Sequence, residues 1–188
     1  MAAGAQSVVG VDLSKNMLKR AKEATNDKSI EYVLADLDTI DFDAASYDLV
    51  FSSLTLHYVK DLPALFNKVF RSLAPKGRFV FSVEHPIILA PTDPSWKTLD
   101  SGIAVWPLDR YLDEGPRVVN WLVDGVVKEH RTVATYVNLL NLSGHSICRV
   151  EEWGPSLEQV QENPEWAVER NRPYFLLVAA QSNQECDD

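Results

Sequence analysis

The chain has 188 residues, of which 46% are hydrophobic and 24% charged, a balance that suits one globular domain with a substantial core. A formal net charge of −9, with no Lys/Arg cluster of useful length, argues against a protein that wraps nucleic acid or lies on an anionic membrane. Two cysteines, Cys148 and Cys186, support neither a disulfide framework nor a thiolate zinc site, and no metal site is expected.

Short apolar runs alternate with helical patterns along the chain, which is the signature of an α/β sheet. Ser7–Val11 reads as a strand ending at Asp12. Ser14 then caps a helix over Lys15–Thr25, with Met17, Leu18, Ala21 and Ala24 near helical spacing. Ile30–Ala35 is a second strand, ending at Asp36, and Tyr47–Ser52 a third. Asp61 caps the next helix, with Pro63 in its first turn. Leu62, Leu65, Phe66, Val69, Phe70 and Leu73 give that helix one broad apolar stripe, which Pro75–Gly77 is expected to stop. Arg78–Val83 is a fourth strand, apolar on both faces and therefore central.

From Glu84 to about Leu112 the alternation lapses into a proline- and tryptophan-rich stretch that reads as a structured insertion. Val118–Val123 and Val126–His130 flank Asp124–Gly125, the signal for a hairpin with a tight primed turn. Thr132–Leu142 is a helix with Tyr136, Leu139 and Leu140 inward, closed by Ser143–Gly144. Ile147–Trp153 and Tyr174–Ala180 are the last strands, with a polar, partly helical segment, Ser156–Arg172, between them. Gln181–Asp188 is expected to fray. The N-terminus has neither the basic start nor the apolar run of a signal peptide, and no run of about twenty apolar residues occurs, so a cytoplasmic protein is expected.

The chemistry lies in acids placed where strands end, because open parallel sheets bind ligands beyond the carboxyl ends of their strands. Asp12 can accept hydrogen bonds from both hydroxyls of a ribose, or can cap the following helix. Asp36, followed by Leu37, suits the exocyclic amine of adenine, or is a turn acid. A nicotinamide cofactor would use the first acid and leave the second idle.

VVGVDLSKNMLKRAK, YVLADLDTIDF, YDLVFSSLTLHYVKDL and LAPKGRFVFSVEHP, in this order and spacing, resemble consecutive motifs of the class I S-adenosylmethionine-dependent methyltransferases. The flavour is that of the small-molecule group that includes the ubiquinone and menaquinone biosynthesis methyltransferases. The resemblance continues more loosely through HRTVATYVNLLNLSGHSICRVEEWGPS and RPYFLLVAA. It implies a Rossmann-like doubly wound α/β sheet with an antiparallel last strand and a cap insertion after the fourth recognised strand. The chain is then a single domain over residues 1–188, with the cap at 84–131. S-adenosylmethionine is the implied cofactor and a small molecule the implied methyl acceptor. Asp12 would bind the ribose hydroxyls, with Leu13 and Met17 lining the adenosine. Asp36 and Leu37 would bind the adenine, and Ser52 and Ser53, with Leu54 and His57 just beyond, would floor the site. Against that role, a Met on an amphipathic helix is usually a core residue, and Met17 reads first as one.

One departure stands out. The family's first strand ends in a glycine-rich loop, and no Gly-x-Gly occurs among the eight glycines here. The expected sheet therefore lacks its first strand and that loop, through a truncated or spliced product, an incomplete gene model, or a partner chain, a homodimer included, that completes the sheet. Truncation of a true methyltransferase is the preferred explanation. The competing function is a catalytically impaired isoform that acts only by binding a partner.

Of the four histidines, His57 and His85 fall just past strand ends, where either could act as a general base or simply hold a loop. Trp96, Trp106, Tyr111 and Trp121 cluster in the insertion and hairpin. They could line a planar substrate pocket or form the cap's own small core.

Overall fold

The computed structural model describes residues 4–120 and 124–185, and the chain divides into two compact units, residues 1–41 and 42–188. In the first unit β1 (Val8–Asp12) leads into helix α1 (Lys15–Ala24) and then β2 (Ile30–Leu34). Ser14 caps α1 as expected, its hydroxyl accepting from Met17 N at 3.3 Å. β1 and β2 are parallel, with Val8 opposite Ile30 and Asp12 opposite Leu34, so both strands finish at one rim.

The second unit opens with β3 (Tyr47–Ser53), a single tight helical turn (Leu56–Tyr58), α2 (Leu62–Ser72) and β4 (Leu73–Glu84). Asp61 caps α2 by accepting from Ala64 N at 3.0 Å. The helix ends earlier than the Pro75–Gly77 signal predicts. Leu73 is already extended, and the β3–β4 register jumps from Tyr47–Leu73 to Leu49–Arg78, so Ala74–Gly77 bulge out, with Lys76 at a φ of 62°.

The insertion holds a short helix α3 (Pro86–Leu89) and the small antiparallel pair β5 (Lys97–Thr98) and β6 (Ala104–Val105). A hairpin follows, β7 (Gly115–Val119) with β8 (Val126–His130), but in a different register from the expected one. Val119 faces Val126, where a two-residue Asp124–Gly125 turn requires Val123. Asn120 Oδ1 accepts from Gly125 N at 2.8 Å, and Gly125 takes a φ of 76° to make that bond. Residues 121–123, including Trp121 and the end of the expected strand, lie outside the described residues.

Helix α4 (Val133–Leu142), capped by Thr132, precedes β9 (His145–Trp153). Then come α5 (Leu157–Glu162), a stretch of tight helical turns (Pro164–Asn171) and β10 (Phe175–Ser182). Ser156 and Gln159 start α5 with a reciprocal capping box. β10 runs two residues further than expected, and Ser182 is buried rather than frayed.

The main sheet has the order β3–β4–β10–β9, with β3 and β4 parallel and β10 antiparallel to both of its neighbours. β4 is central, as its composition predicts. Phe79, Phe81 and Val83 on one face are buried, and Phe66 of α2 meets the Phe79 ring edge-on at 5.3 Å. Tyr136 and Leu140 of α4 complete this core, while Leu139 is only half-buried. Among the described residues β1 pairs only with β2 and β3 only with β4. Leu49 and Phe51 of β3 are correspondingly 56% and 66% exposed. No helix among the described residues is long and apolar enough to cross a membrane.

Gly144 closes α4 with a φ of 91°, and a Cβ there would lie 2.7 Å from the Phe70 ring. Gly125 has a similar φ of 76° but nothing within 4 Å. Gly144→Ala should therefore lose at least about 2 kcal/mol in urea unfolding, from left-handed strain plus overpacking. Gly125→Ala should lose only about 1 kcal/mol, from strain alone. Equal losses would contradict the packing described here.

Candidate functional site

The residues singled out in the sequence fall into two groups. Asp12, Leu13, Met17, Asp36 and Leu37 belong to the first unit, and Ser52, Ser53, His57 and His85 to the second.

In the first unit the β1–β2 register brings Asp12 and Asp36 to the same carboxyl rim, with Ala35 N donating to Asp12 O at 3.2 Å. Asp12 Oδ1 accepts from Ser14 N at 2.7 Å, which fixes the carboxylate at the mouth of α1. Asp36 Oδ1 accepts from Asp38 N at 2.9 Å, and its side chain is exposed. Leu13 is 70% exposed and Met17 51%, while Leu18 is the buried residue of α1. Met17 is therefore not the core residue that helical spacing allows. Two acids and two uncovered apolar side chains thus share one rim, and Leu37, half-buried, follows directly on the second acid.

In the second unit Ser52 and Ser53 end β3. Ser52 Oγ is buried without a hydrogen-bond partner among the described residues, and Ser53 O accepts from the Thr55 hydroxyl at 2.9 Å. Beyond them His57 is buried at 1% exposure. Its pKa is pushed down to about 3, first by burial and then by the nearby charges of Lys128 and Arg131. A ring that weakly basic does little proton abstraction near neutrality. His85 follows the end of β4, and both of its ring nitrogens are engaged. Nδ1 accepts from Ile87 N at 3.1 Å, which leaves Nε2 to donate to Glu152 Oε1 at 2.9 Å. Burial holds it below the usual histidine range, against the opposing pull of Glu152. His85 thus pins the loop after β4, while the His57 ring is buried, its Nδ1 without a hydrogen-bond partner among the described residues.

Sequence reasoning passed over the cations beside them. Lys128 is 3% exposed and donates to Glu84 Oε1 at 2.6 Å, with its Nζ 5.7 Å above the Tyr58 ring. Arg131 Nη2 donates to Val59 O and Lys60 O at 2.7 and 2.9 Å.

Comparison with known proteins decides the family. A family model described as a methyltransferase domain matches residues 1–81. The crystal structure of an S-adenosylmethionine dependent methyltransferase from Mesorhizobium loti matches with a TM-score of 0.92 and 50% identity, over 96% of this chain and 82% of that one. The chain belongs to the S-adenosylmethionine-dependent methyltransferases. This methyltransferase is also 29% identical over 189 residues to an uncharacterized protein from Haemophilus influenzae, covering 94% of this chain and 72% of that protein. Phosphoethanolamine N-methyltransferase 1 of Arabidopsis thaliana is 38% identical over 77 residues, 40% of this chain and 16% of that protein.

The cofactor of such an enzyme is S-adenosylmethionine, and the first unit of the methyltransferase fits its nucleoside half. The rim carries carboxylate acceptors for hydroxyl and amine donors, beside exposed apolar surface for a purine. The fit does not extend to the methionyl half, since no Gly-x-Gly occurs in the 188 residues to bring backbone donors close to it.

The histidines set the methyltransferase's response to acid. His145, like His57, is held down mainly by burial, at about 4 against an ordinary 6.5. Below pH 6.5 the unfolded chain binds protons on both rings that the folded chain does not. Stability should therefore fall as pH drops, by up to about 1.4 kcal/mol per pH unit for each ring. Urea unfolding from about pH 6.5 to about pH 5 should show this slope, and His57→Gln should make it shallower, by up to about 1.4 kcal/mol per pH unit. An unchanged slope in that variant would show that His57 is not held neutral.

Proposed function

We propose that the chain transfers the methyl group of S-adenosylmethionine to a small-molecule acceptor. The observation that carries this reading is the convergence of Asp12 and Asp36 on one carboxyl rim, next to the exposed Leu13 and Met17. On this reading Asp12 accepts from the ribose hydroxyls and Asp36 from the adenine amine. Leu13, Met17 and Leu37 pack against the base. The cofactor supplies a methyl group already activated by its sulfonium, so positioning of the acceptor contributes much of the rate. That division of labour agrees with two buried histidines in the second unit, one of them, His85, with both ring nitrogens engaged. His57 and His85 are then positioning residues, and residues 84–131 act as the cap that selects the acceptor. The resemblance to a phosphoethanolamine N-methyltransferase supports a small acceptor over a macromolecular one.

A second reading, cofactor binding without turnover, is favoured by the lack of any Gly-x-Gly segment. Calorimetric titration of the full chain separates the two when paired with a methyl-transfer assay. S-adenosylmethionine should bind saturably, and Asp12→Asn and Asp36→Asn should each weaken binding about tenfold or more, as expected for lost hydrogen bonds to a charged group. Radiolabelled methyl groups should enter the small-molecule fraction of a cell extract. Parental affinity in both variants would remove the nucleoside assignment, label in the protein fraction would overturn the acceptor class, and binding without any label would establish the second reading.

A further inference from the structure

A cleft of about 300 Å³ opens in the second unit between the end of β9, the Pro164–Asn171 turns and the start of β10. Its walls are the rings of Trp153, Trp166, Tyr174 and Phe175, and its charged groups are Glu165 and Glu169. The size is at the lower end of ligand pockets, about 300–1,000 Å³. No lysine or arginine lines it among the described residues. The strand register places it at the carboxyl end of β4, since Phe175 lies opposite both Glu84 and Trp153.

The two glutamates differ. Glu169 is committed to the protein, with Oε1 accepting from Trp96 Nε1 at 3.3 Å and Oε2 lying 3.0 Å from Arg172 Nη2. Glu165 is exposed and has no ion pair or side-chain hydrogen bond among the described residues. One open carboxylate beside several aromatic faces is the chemistry that holds organic cations, through the negative faces of the rings and the opposite charge.

The neighbouring structure uses the same chemistry on a cation of its own. The Arg172 guanidinium is buried, with Trp106 at 4.1 Å, Trp96 at 4.9 Å and Tyr174 at 5.1 Å. Its Nε and Nη1 have no hydrogen-bond acceptor among the described residues, so ring faces take the place of oxygen there. Tyr174 belongs to both sets, touching Arg172 and lining the cleft.

We propose that this cleft is a binding site for a small substituted-ammonium cation, held by Trp153, Trp166, Tyr174 and Phe175 and charge-matched by Glu165. The site goes beyond the methyl-transfer reading and does not depend on it. Tetramethylammonium chloride is the probe, with neopentyl alcohol as its neutral counterpart of similar shape and potassium chloride as the ionic-strength control. The full chain is followed through its tryptophan indole N–H resonances.

Tetramethylammonium should shift the Trp153 and Trp166 signals saturably, and neopentyl alcohol should bind about tenfold more weakly or worse. Trp166→Ala should abolish the response, Trp166→Phe should keep most of it, and Glu165→Gln should weaken it about threefold or more. Both positions are exposed, so unchanged melting temperatures will show that the variants fold. Equal affinity for the alcohol would make the cleft merely apolar and overturn the proposal. So would a response that potassium chloride reproduces, one that survives Trp166→Ala, or no saturable shift in the parent.

Discussion

The larger unit depends on a buried charge. Lys128 is almost fully removed from water, a position that costs several kcal/mol unless a counter-ion compensates it. The Glu84 carboxylate at 2.6 Å does so from the last residue of the central strand. That pair ties the β7–β8 hairpin to the end of β4 and carries Lys128 over the Tyr58 ring. Arg131, three residues further along, is anchored by the carbonyls of Val59 and Lys60. Burial first, and then the two nearby cations, keep His57 neutral in the segment after β3. Glu84 links these effects, because it ends β4 and meets β10 at Phe175.

The antiparallel β4–β10–β9 ladder then fixes what stands along the rim. Glu84, Phe175 and Trp153 are brought level by register alone. His85, next in sequence, reaches across to Glu152, the neighbour of Trp153, so the loop after β4 is pinned to β9. The aromatic groups around Arg172 lie beside the same rim, with Trp96 and Trp106 edge-on at 5.3 Å. Trp96 and Trp106, expected either to line a pocket or to form a small core, pack on each other and on Arg172.

What could be read in advance was local or periodic. Ser14 and Asp61 cap helices where single-residue signals place them, and the α2 stripe and the central position of β4 follow from hydrophobic spacing. The rim positions of Asp12 and Asp36 follow from where strands stop. Errors arose where distant partners decide. The hairpin register depends on Asn120 reaching Gly125, and not on the Asp124–Gly125 turn signal alone. His57 and His85 sit where strand ends predict. Their protonation, however, is set first by burial and then by Lys128, Arg131 and Glu152, far away in sequence, which strand-end position alone does not reveal. The aromatic cleft escaped notice because Trp153, Trp166 and Tyr174 meet only through the β9–β10 pairing and the turns between them.

All four imidazoles, at positions 57, 85, 130 and 145, are held below their ordinary range chiefly by burial. The folded molecule therefore has little side-chain buffering around neutrality. Electrophoretic mobility should then change less on mild acidification than it would with four exposed imidazoles, and a steep rise in proton uptake would mark loss of the packed interior.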